Sequence, residues 1–326
     1  MTSNPLITKI KIIGSGVSGL TTGITLLQNG YDVSIISKEH FKDTVSANAA
    51  AIWFPYEARP IEKVLKWSNL SFRKFEELAH NSNSGVSMVP FKIIEPVNKT
   101  PYWLHALPPK SKISHRSIDI LDSKCNCYTY SIPLIETQIY LPFLHDTFLN
   151  NGGSIHYQEI TDLEQLSENS LVINCSGLGS QELFKDKELY PIQGQTVKIE
   201  PSEGIFGLAF DELPSNTHNE ITYVIPRTDC IVLGGSAFRN QYSQKIDKQL
   251  TQRIIERCTL LDPDLKSKTI ISAQVGLRPG RTQIRLEKDE TAFVIHNYGH
   301  GGAGFTVSWG CAAEVLMLVQ KFFDDE

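Results

Sequence analysis

The chain has 326 residues, 41% of them hydrophobic, with 31 Lys and Arg against 36 Asp and Glu for a net charge of −5. That is enough ordinary globular sequence for about two domains, which excludes disorder and collagen-like repeats, and it supplies no global positive field for nucleic acid or an anionic membrane. Six cysteines, at 125, 127, 175, 230, 258 and 311, are too few for a disulfide framework, and no second Cys/His pair follows Cys125-Asn126-Cys127, so no metal is expected.

The amino terminus, Met1 to Leu6, has neither the basic nor the apolar region of a leader, and no apolar run approaches the ~18 residues of a membrane span. Lys9 to Ile13 alternates as a strand, Gly14 to Gly19 is a glycine turn, Leu20 to Gln28 is helical with Gly30 closing it, and Tyr31 to Ser37 is a second strand. This is a βαβ opening, the start of a parallel α/β sheet. From Glu62 to Ser131 a helical stretch, Lys63 to His80, is mixed with loops and short β-like runs. Tyr140 to Asn150 reads as a helix ending before Gly152-Gly153, and Leu171 to Cys175 as a buried strand broken by Ser176-Gly177.

Beyond this, Gln195 to Glu200 alternates, Thr222 to Pro226 and Cys230 to Gly234 form a hairpin, and Lys248 to Thr259 is an amphipathic helix. A strand through Phe293 to His296, a glycine-rich turn, and a helix from about Thr306 to Phe322 close the chain. No fixed-period repeat and no linker divides it, so its domains are expected to be discontinuous, with the chain leaving the first and re-entering it twice. The end of the sequence, Phe322 to Glu326, is no Ser-Lys-Leu address, and a cytoplasmic location is the expectation.

Three segments carry chemistry. Gly14-Ser15-Gly16-Val17-Ser18-Gly19 fits G-x-G-x-x-G between a strand and a helix, where the glycines permit the tight turn, the approach of a pyrophosphate and close helix–sheet packing. Alone it does not separate FAD from NAD. The ribose-binding acid expected about 20 residues on is not clean: Glu39 has the right type, Ser37 or Lys38 the strand-end position, and Glu39 is equally an exposed turn residue. In His296 to Thr306 four glycines in six residues uncover backbone N–H groups ahead of a helix, an arrangement suited to an electron-rich ring. His296 and His300 are read as hydrogen-bonded or packing histidines rather than a metal pair. In Gly276-Leu277-Arg278-Pro279 the guanidinium of Arg278 offers paired donors matched to a carboxylate.

Together with Ala49 to Tyr56, Val172 to Gly177, Tyr223 to Pro226, Leu233 to Gly235 and the stretch from His296 to Ala312, these segments resemble the D-amino-acid oxidase family, which includes the D-aspartate oxidases. The resemblance implies an α/β fold. Its Rossmann-like FAD-binding domain would comprise residues 1–60, 134–182 and 275–326, and an α+β substrate domain with a mainly antiparallel sheet would comprise 61–133 and 183–274. It implies FAD as cofactor, with Gly14, Ser15, Gly16, Val17, Ser18 and Gly19 at the pyrophosphate. Ser37, Lys38 and Glu39 would lie near the ribose, Ser46, Ala51 and Ile52 on the flavin side, Ile160 and Ser176 at further contacts, and Gly301, Gly302, Ala303, Gly304, Phe305 and Thr306 around the ring.

The same resemblance implies that Arg278 pairs with the substrate α-carboxylate, that Tyr223 donates to it, and that the Gly302 carbonyl accepts from the amine, with Trp53, Phe54 and Asn219 in the pocket. Asn219 stands where mammalian members carry a lid tyrosine, and Phe54 where they carry glutamine, so side-chain specificity and lid behaviour are open. Arg239 lies near a basic position of the D-aspartate oxidases, out of register. The implied activity is oxidation of a D-amino acid by hydride transfer from Cα to flavin N5, with O2 as acceptor, giving an α-keto acid, ammonia and H2O2. The alternatives are a D-aspartate oxidase, a glycine or sarcosine oxidase, or a D-amino-acid dehydrogenase with another acceptor. The expected partners are the small-molecule substrate and O2, with no nucleic acid or membrane, and a homodimer is the one assembly entertained.

Overall fold

The computed structural model describes residues 9–166, 170–210 and 219–324. The leader reading at Met1 to Leu6 and the last two residues of the C-terminal reading, Asp325 and Glu326, lie outside them. Strand β1 (Lys9–Ile13), helix α1 (Val17–Gln28) and strand β2 (Asp32–Ser37) form the opening unit, with the two strands parallel. The helix starts inside the glycine motif, since Leu20 N already donates to Gly16 O at 3.0 Å. Its first turn needs no intrahelical donors, which is why glycines there do not delay it.

The middle of the chain departs from the expectation of short β-like runs. Helix α2 (Ile61–Leu78) is followed by long strands, β3 (Val86–Pro96), β4 (Ser114–Ile120) and β5 (Ser123–Ile135), with β3 and β4 both antiparallel to β5. Prolines at 90, 96 and 133 disguise these strands in the sequence. Then come α3 (Thr137–Asn150), β6 (Ser154–Tyr157), β7 (Ser170–Asn174), the short α4 (Ser180–Leu183), β8 (Tyr190–Ile199) and β9 (Gly207–Ala209). The chain continues through β10 (Glu220–Pro226), β11 (Ile231–Ser236), β12 (Phe238–Arg239), α5 (Lys248–Leu261), β13 (Ile270–Gly280), β14 (Arg285–Lys288), β15 (Val294–Tyr298) and α6 (Gly304–Asp324).

Two sheets result. The first has the order β14-β15-β7-β1-β2-β6, parallel except at its β14 edge. Its central β7 is buried along its whole length, as a strand covered on both faces must be, and its inner residues Leu171, Val172 and Ile173 are correspondingly apolar. The second runs β12-β8-β11-β10-β9-β3-β5-β4, with β13 also pairing β8; only β3 and β9 are parallel neighbours. The mixed α/β class with a mainly antiparallel second sheet agrees with the reading of the sequence. All of β13 pairs with β8 from Ile270 to Gly280, so Arg278 rides on the antiparallel sheet, although its sequence neighbourhood from 275 onward was grouped with the nucleotide domain.

Helix α6 corrects the statement that no segment approaches a membrane span: Gly301–Asp324 is long and apolar enough by composition. Its apolar residues instead face the interior, where Val307, Cys311, Ala312, Val315 and Val319 are fully buried in the main core. Glycine allows the packing of α6 on α2, because a Cβ on Gly310 would collide with the backbone of Trp67. Gly310 N also donates to Ser71 Oγ at 2.9 Å. Gly310→Ala is expected to destabilise the protein by about 2–3 kcal/mol through overpacking; urea unfolding measures it, and an unchanged midpoint would refute the close approach.

Candidate active site

The glycine turn after β1 shows why each glycine is where it is. Gly14 sits at φ 106°, and a Cβ on it would lie 2.6 Å from the Cys175 carbonyl oxygen at the end of β7. A Cβ on Gly19 would run into the Gly14 carbonyl, whereas one on Gly16 would meet only Ser46 Oγ, at 3.1 Å. The first and third glycines therefore serve packing, and the second opens a cradle at the amino terminus of α1. No side chain caps that end from Gly16 itself; Ser46 Oγ accepts from Val17 N at 3.1 Å. Uncovered amides and the partial positive charge of a helix end make this an anion site.

The strand-end candidates divide by role. Ser37 is buried, its Oγ accepting from Ser15 N and Ser15 Oγ at 3.2 and 2.9 Å while donating to Glu39 O at 2.7 Å, so it props the turn. Lys38 is exposed and paired with Glu159 at 2.7 Å, and the Glu39 side chain is exposed while its carbonyl also receives Ser15 Oγ. Ile160 packs with Ile13, Ile36 and Val172, and Ser176 Oγ donates to Asn174 Oδ1 at 2.7 Å.

A second helix end meets the first. Residues 301–303 form a 3-10 turn leading into α6, with Gly301 at φ 55° and Ala303 buried. A buried polar chain ties this turn to α1: Ser18 Oγ lies 3.5 Å from His300 Nδ1, His300 Nε2 is 3.0 Å from Asn297 Oδ1, and Asn297 Nδ2 donates to Thr22 Oγ1 at 3.2 Å. His296 is likewise partnered, by Asn174 and Asp289, and the described residues hold no metal-ligating cluster. Thr306 Oγ1 bridges the backbone of Phe54, accepting from its N at 3.0 Å and donating to its O at 2.9 Å. The Phe305 ring turns into the core beside Tyr140, so it can offer only backbone to a ligand. Ala51, buried and at φ 51°, holds a left-handed conformation that alanine rarely adopts; its carbonyl accepts from Ile135 N at 2.9 Å, and Ile52 bridges Leu134.

Of the substrate-side residues, Phe54, Asn219, Arg278 and Gly302 line two adjoining cavities, and Tyr223 lines neither. The larger, of about 500 Å³, is lined by Phe54, Tyr56, Ile93, Glu95, Asn219 and Arg239 among others. The smaller, of about 30 Å³, is lined by Arg278, Gly301, Gly302, His300, Tyr56 and Ala237. Arg278 Nη1 donates to Ser236 O at 2.9 Å, and its guanidinium lies flat over Gly194, where any Cβ would displace it. The Tyr223 ring lies over Gly234, and its hydroxyl is 3.2 Å from where a Gly235 Cβ would stand. Asn219, at φ 69°, accepts from Ala237 N at 2.7 Å at the mouth of the larger cavity.

Trp53 does not belong to this group: its indole is fully buried, donates to Ser68 O at 2.8 Å and packs edge-on against Phe72. Alternation along the extended segment sends Phe54 and Trp53 to opposite sides. Tyr56, two residues beyond Phe54, lines both cavities and lies against Gly302, and sequence reasoning missed it. Gly194 was also missed; a glycine inside the β8 strand pattern was the available signal, since it marks a close approach.

Among the described residues, Arg278 has no acidic partner, whereas Arg227, Arg239, Arg253, Arg257, Arg281 and Arg285 all do. Arg281 and Tyr298, which donates at 2.6 Å, both engage Asp186; burial opposes its charge, but these donors keep its carboxyl below the usual range. The basic side chains around the smaller cavity are thus neutralised except for the one aimed at it.

The cradle a Cβ at Gly16 would fill, and the two helix ends joined by Ser18 and His300, fit a dinucleotide lying from α1 to the 301–304 turn. In sequence, the chain matches the family model described as FAD dependent oxidoreductase over residues 9–99 and 104–317. It is 33% identical over 321 residues to a D-amino-acid oxidase of Rubrobacter xylanophilus, covering 96% of each chain. With a D-amino-acid oxidase of Dictyostelium discoideum it shares 35% over 325 residues, 95% of this chain and 91% of the other. The solved glycine oxidase from Geobacillus kaustophilus has the same fold, with a TM-score of 0.79 at 15% identity over 96% of this chain and 95% of that one.

Burial lowers the His300 pKa from 6.5 to about 4, so the ring is neutral at pH 7. Between those values the unfolded chain binds a proton that the folded one refuses, and stability falls as pH drops from about 6.5 and levels off below about 4. The expected contribution is on the order of 3 kcal/mol. Urea unfolding from pH 7 to pH 4 measures it, and His300→Gln should flatten that dependence; an unchanged slope in the variant would refute the assignment.

Proposed function

The chain belongs to the D-amino-acid oxidase family of FAD-dependent oxidoreductases, and from that premise we propose that it deaminates D-amino acids oxidatively where the two cavities adjoin. The reaction takes a D-amino acid, O2 and water to an α-keto acid, ammonia and H2O2. The observation that carries the substrate reading is Arg278, an arginine that lines the smaller cavity with Gly302 and has no acidic partner among the described residues, its Nη1 on Ser236 O next to the glycines under the Tyr223 ring.

Gly14 to Gly19, with Ser46, would hold the pyrophosphate of FAD at the cradle of α1, and Gly301 to Thr306 would face its ring system. When bound, FAD would supply the acceptor for a hydride from the substrate carbon and the route for its electrons to O2. The protein's part is to bind, orient and polarise. Arg278 takes the α-carboxylate through its planar donors, Tyr223 adds a phenolic hydrogen bond, and the Gly302 carbonyl accepts from the amine. With carboxylate and amine fixed, only one enantiomer presents Cα–H to the cofactor side while its side chain enters the larger cavity. No base is required at carbon, so positioning and fixed dipoles carry the catalysis. The amino terminus of α6 contributes positive potential without a cationic side chain, since His300 stays neutral.

Phe54, Ile93 and Ile221 give the larger cavity apolar surface, which supports neutral D-amino acids, while Glu95, Lys99, Glu220 and Arg239 also line it, Arg239 exposed and paired with Glu57 at 3.7 Å. The six cysteines are all free and buried, which supports a cytoplasmic location.

A peroxide assay across D-Ala, D-Met, D-Phe, D-Pro, D-Asp and glycine, with L-enantiomers as controls, tests the activity; turnover of L but not D substrates would overturn it. Arg278→Ala should raise KM by at least a hundredfold, the loss of a charged hydrogen-bonded pair, while the flavin spectrum is retained. Tyr223→Phe should cost about 1–2 kcal/mol in kcat/KM. An unchanged KM in Arg278→Ala would refute the clamp.

A further inference from the structure

We propose that Arg257, together with Glu220, positions the carboxylate clamp by holding the end of β11 from behind. The proposal rests on the reading of Arg278 and Tyr223 given above and adds residues that reading does not use.

Tyr223 and Arg278 come from different strands, β10 and β13, and both touch the last residues of β11. Ser236 O receives Arg278 Nη1 at 2.9 Å, and the Tyr223 ring lies on Gly234 and Gly235. Those two glycines have no side chains to pack, and glycine is the residue whose backbone is least restrained by itself. A ledge so built needs an external hold to present two side chains reproducibly.

Helix α5 supplies it. Arg257 is buried, and its Nη2 donates to Gly235 O at 3.0 Å and to Ile221 O at 3.4 Å. Successive carbonyls are therefore claimed by different arginines, Gly235 by Arg257 and Ser236 by Arg278. Arg257 is itself set by Glu220, whose Oε2 lies 2.8 Å from its Nη1 while Oε1 accepts from Arg253 Nε at 2.9 Å. The Glu220 side chain is completely buried and follows Asn219 at the larger cavity. Cys258 Sγ, next along α5, approaches Tyr223 O at 3.4 Å and Gly234 O at 3.7 Å, so the hold extends to β10.

Energetics favour a positioning role. Two charges removed from water repay their desolvation only with good geometry, and an apolar pair of similar volume would commonly be as stable. A packed apolar pair could not, however, donate to Gly235 O and Ile221 O. What the ion pair adds is orientation of the backbone beneath the clamp.

The test uses the flavin-loaded enzyme and reads KM and kcat for D-alanine, together with the inhibition constant of propionate, a carboxylate that lacks the amine and cannot be oxidised. Arg257→Met should raise both KM and the propionate constant roughly tenfold, the size of one misaligned hydrogen bond to a charged group, with kcat at saturation changed less than about twofold. Arg257→Lys should restore most of the loss. Because Arg257→Met strands a buried carboxylate, E220M/R257M is measured beside it, as a variant with both charges removed.

In a background carrying both Arg278→Ala and Tyr223→Phe the Arg257 substitution should add nothing, since both groups it positions are gone. A folded E220M/R257M enzyme with unchanged KM and propionate constant, or losses that add to those of the Arg278→Ala, Tyr223→Phe background, would overturn the positioning role while leaving the clamp intact. An Arg278→Ala enzyme with unaltered KM and propionate constant would overturn the clamp itself, and the proposal with it.

Discussion

The close approach of α1 and α6 at their amino ends is the constraint on which the rest of the structure depends. Two helix ends of like partial charge repel, and bulky residues would keep the helices apart. Here small and polar residues line the contact: Thr21 Oγ1 donates to Ser308 O at 3.4 Å, and Thr22 receives Asn297. The chain through Asn297 and His300 to Ser18 satisfies buried polar groups that would otherwise cost more than the contact yields. A single extended anion with a ring that gains negative charge at one end is the ligand that makes such an arrangement useful, with Gly16 opening its approach while Gly14 and Gly19 permit the packing around it.

The antiparallel sheet acts as a lever arm against that fixed end. Strand β13 runs along β8 for its full length and delivers Arg278 over Gly194, while β10 and β11 deliver Tyr223 to the same ledge. Thr306 then clasps the backbone of Phe54, so the segment that walls the larger cavity is tied to the helix whose end faces the cofactor side. The wall of the larger cavity is thereby tied to the first turn of α6 through residues 54 and 306.

Much of this was legible in the residues because glycine and alternation are strong local signals. The β1–α1–β2 unit follows from strict periodicity, and the roles of Gly14 and Gly19 follow from turn geometry. The long β3 and β5 were harder: prolines within them imitate loop signals, and their pairing with each other is non-local. The resemblance grouped Trp53 with Phe54 in the pocket, whereas alternation, which places Phe54 and Tyr56 together, sends Trp53 to the core. Glu39 remained undecided in the sequence for a related reason. Its useful group here is a carbonyl, accepting from Ser15 and Ser37, and a backbone atom leaves no mark on residue identity.

The net charge of −5 says nothing about the site, and the distribution of partners explains why. Arg281 and Arg285 stand near the glycine-rich turn, yet Asp186, Glu188, Glu287 and Asp289 absorb their charge. Were those arginines unpaired, a substrate carboxylate would have several competing anchors and no defined orientation. Neutralising the neighbours leaves one guanidinium with directional capacity beside one phenol. On the proposed reading chirality is read from geometry, because a carboxylate in a field of equivalent cations could take several orientations, and a molecule of either enantiomer could then turn its Cα–H to the cofactor side. On that reading the acids that surround the site would contribute to stereochemical choice without touching the substrate.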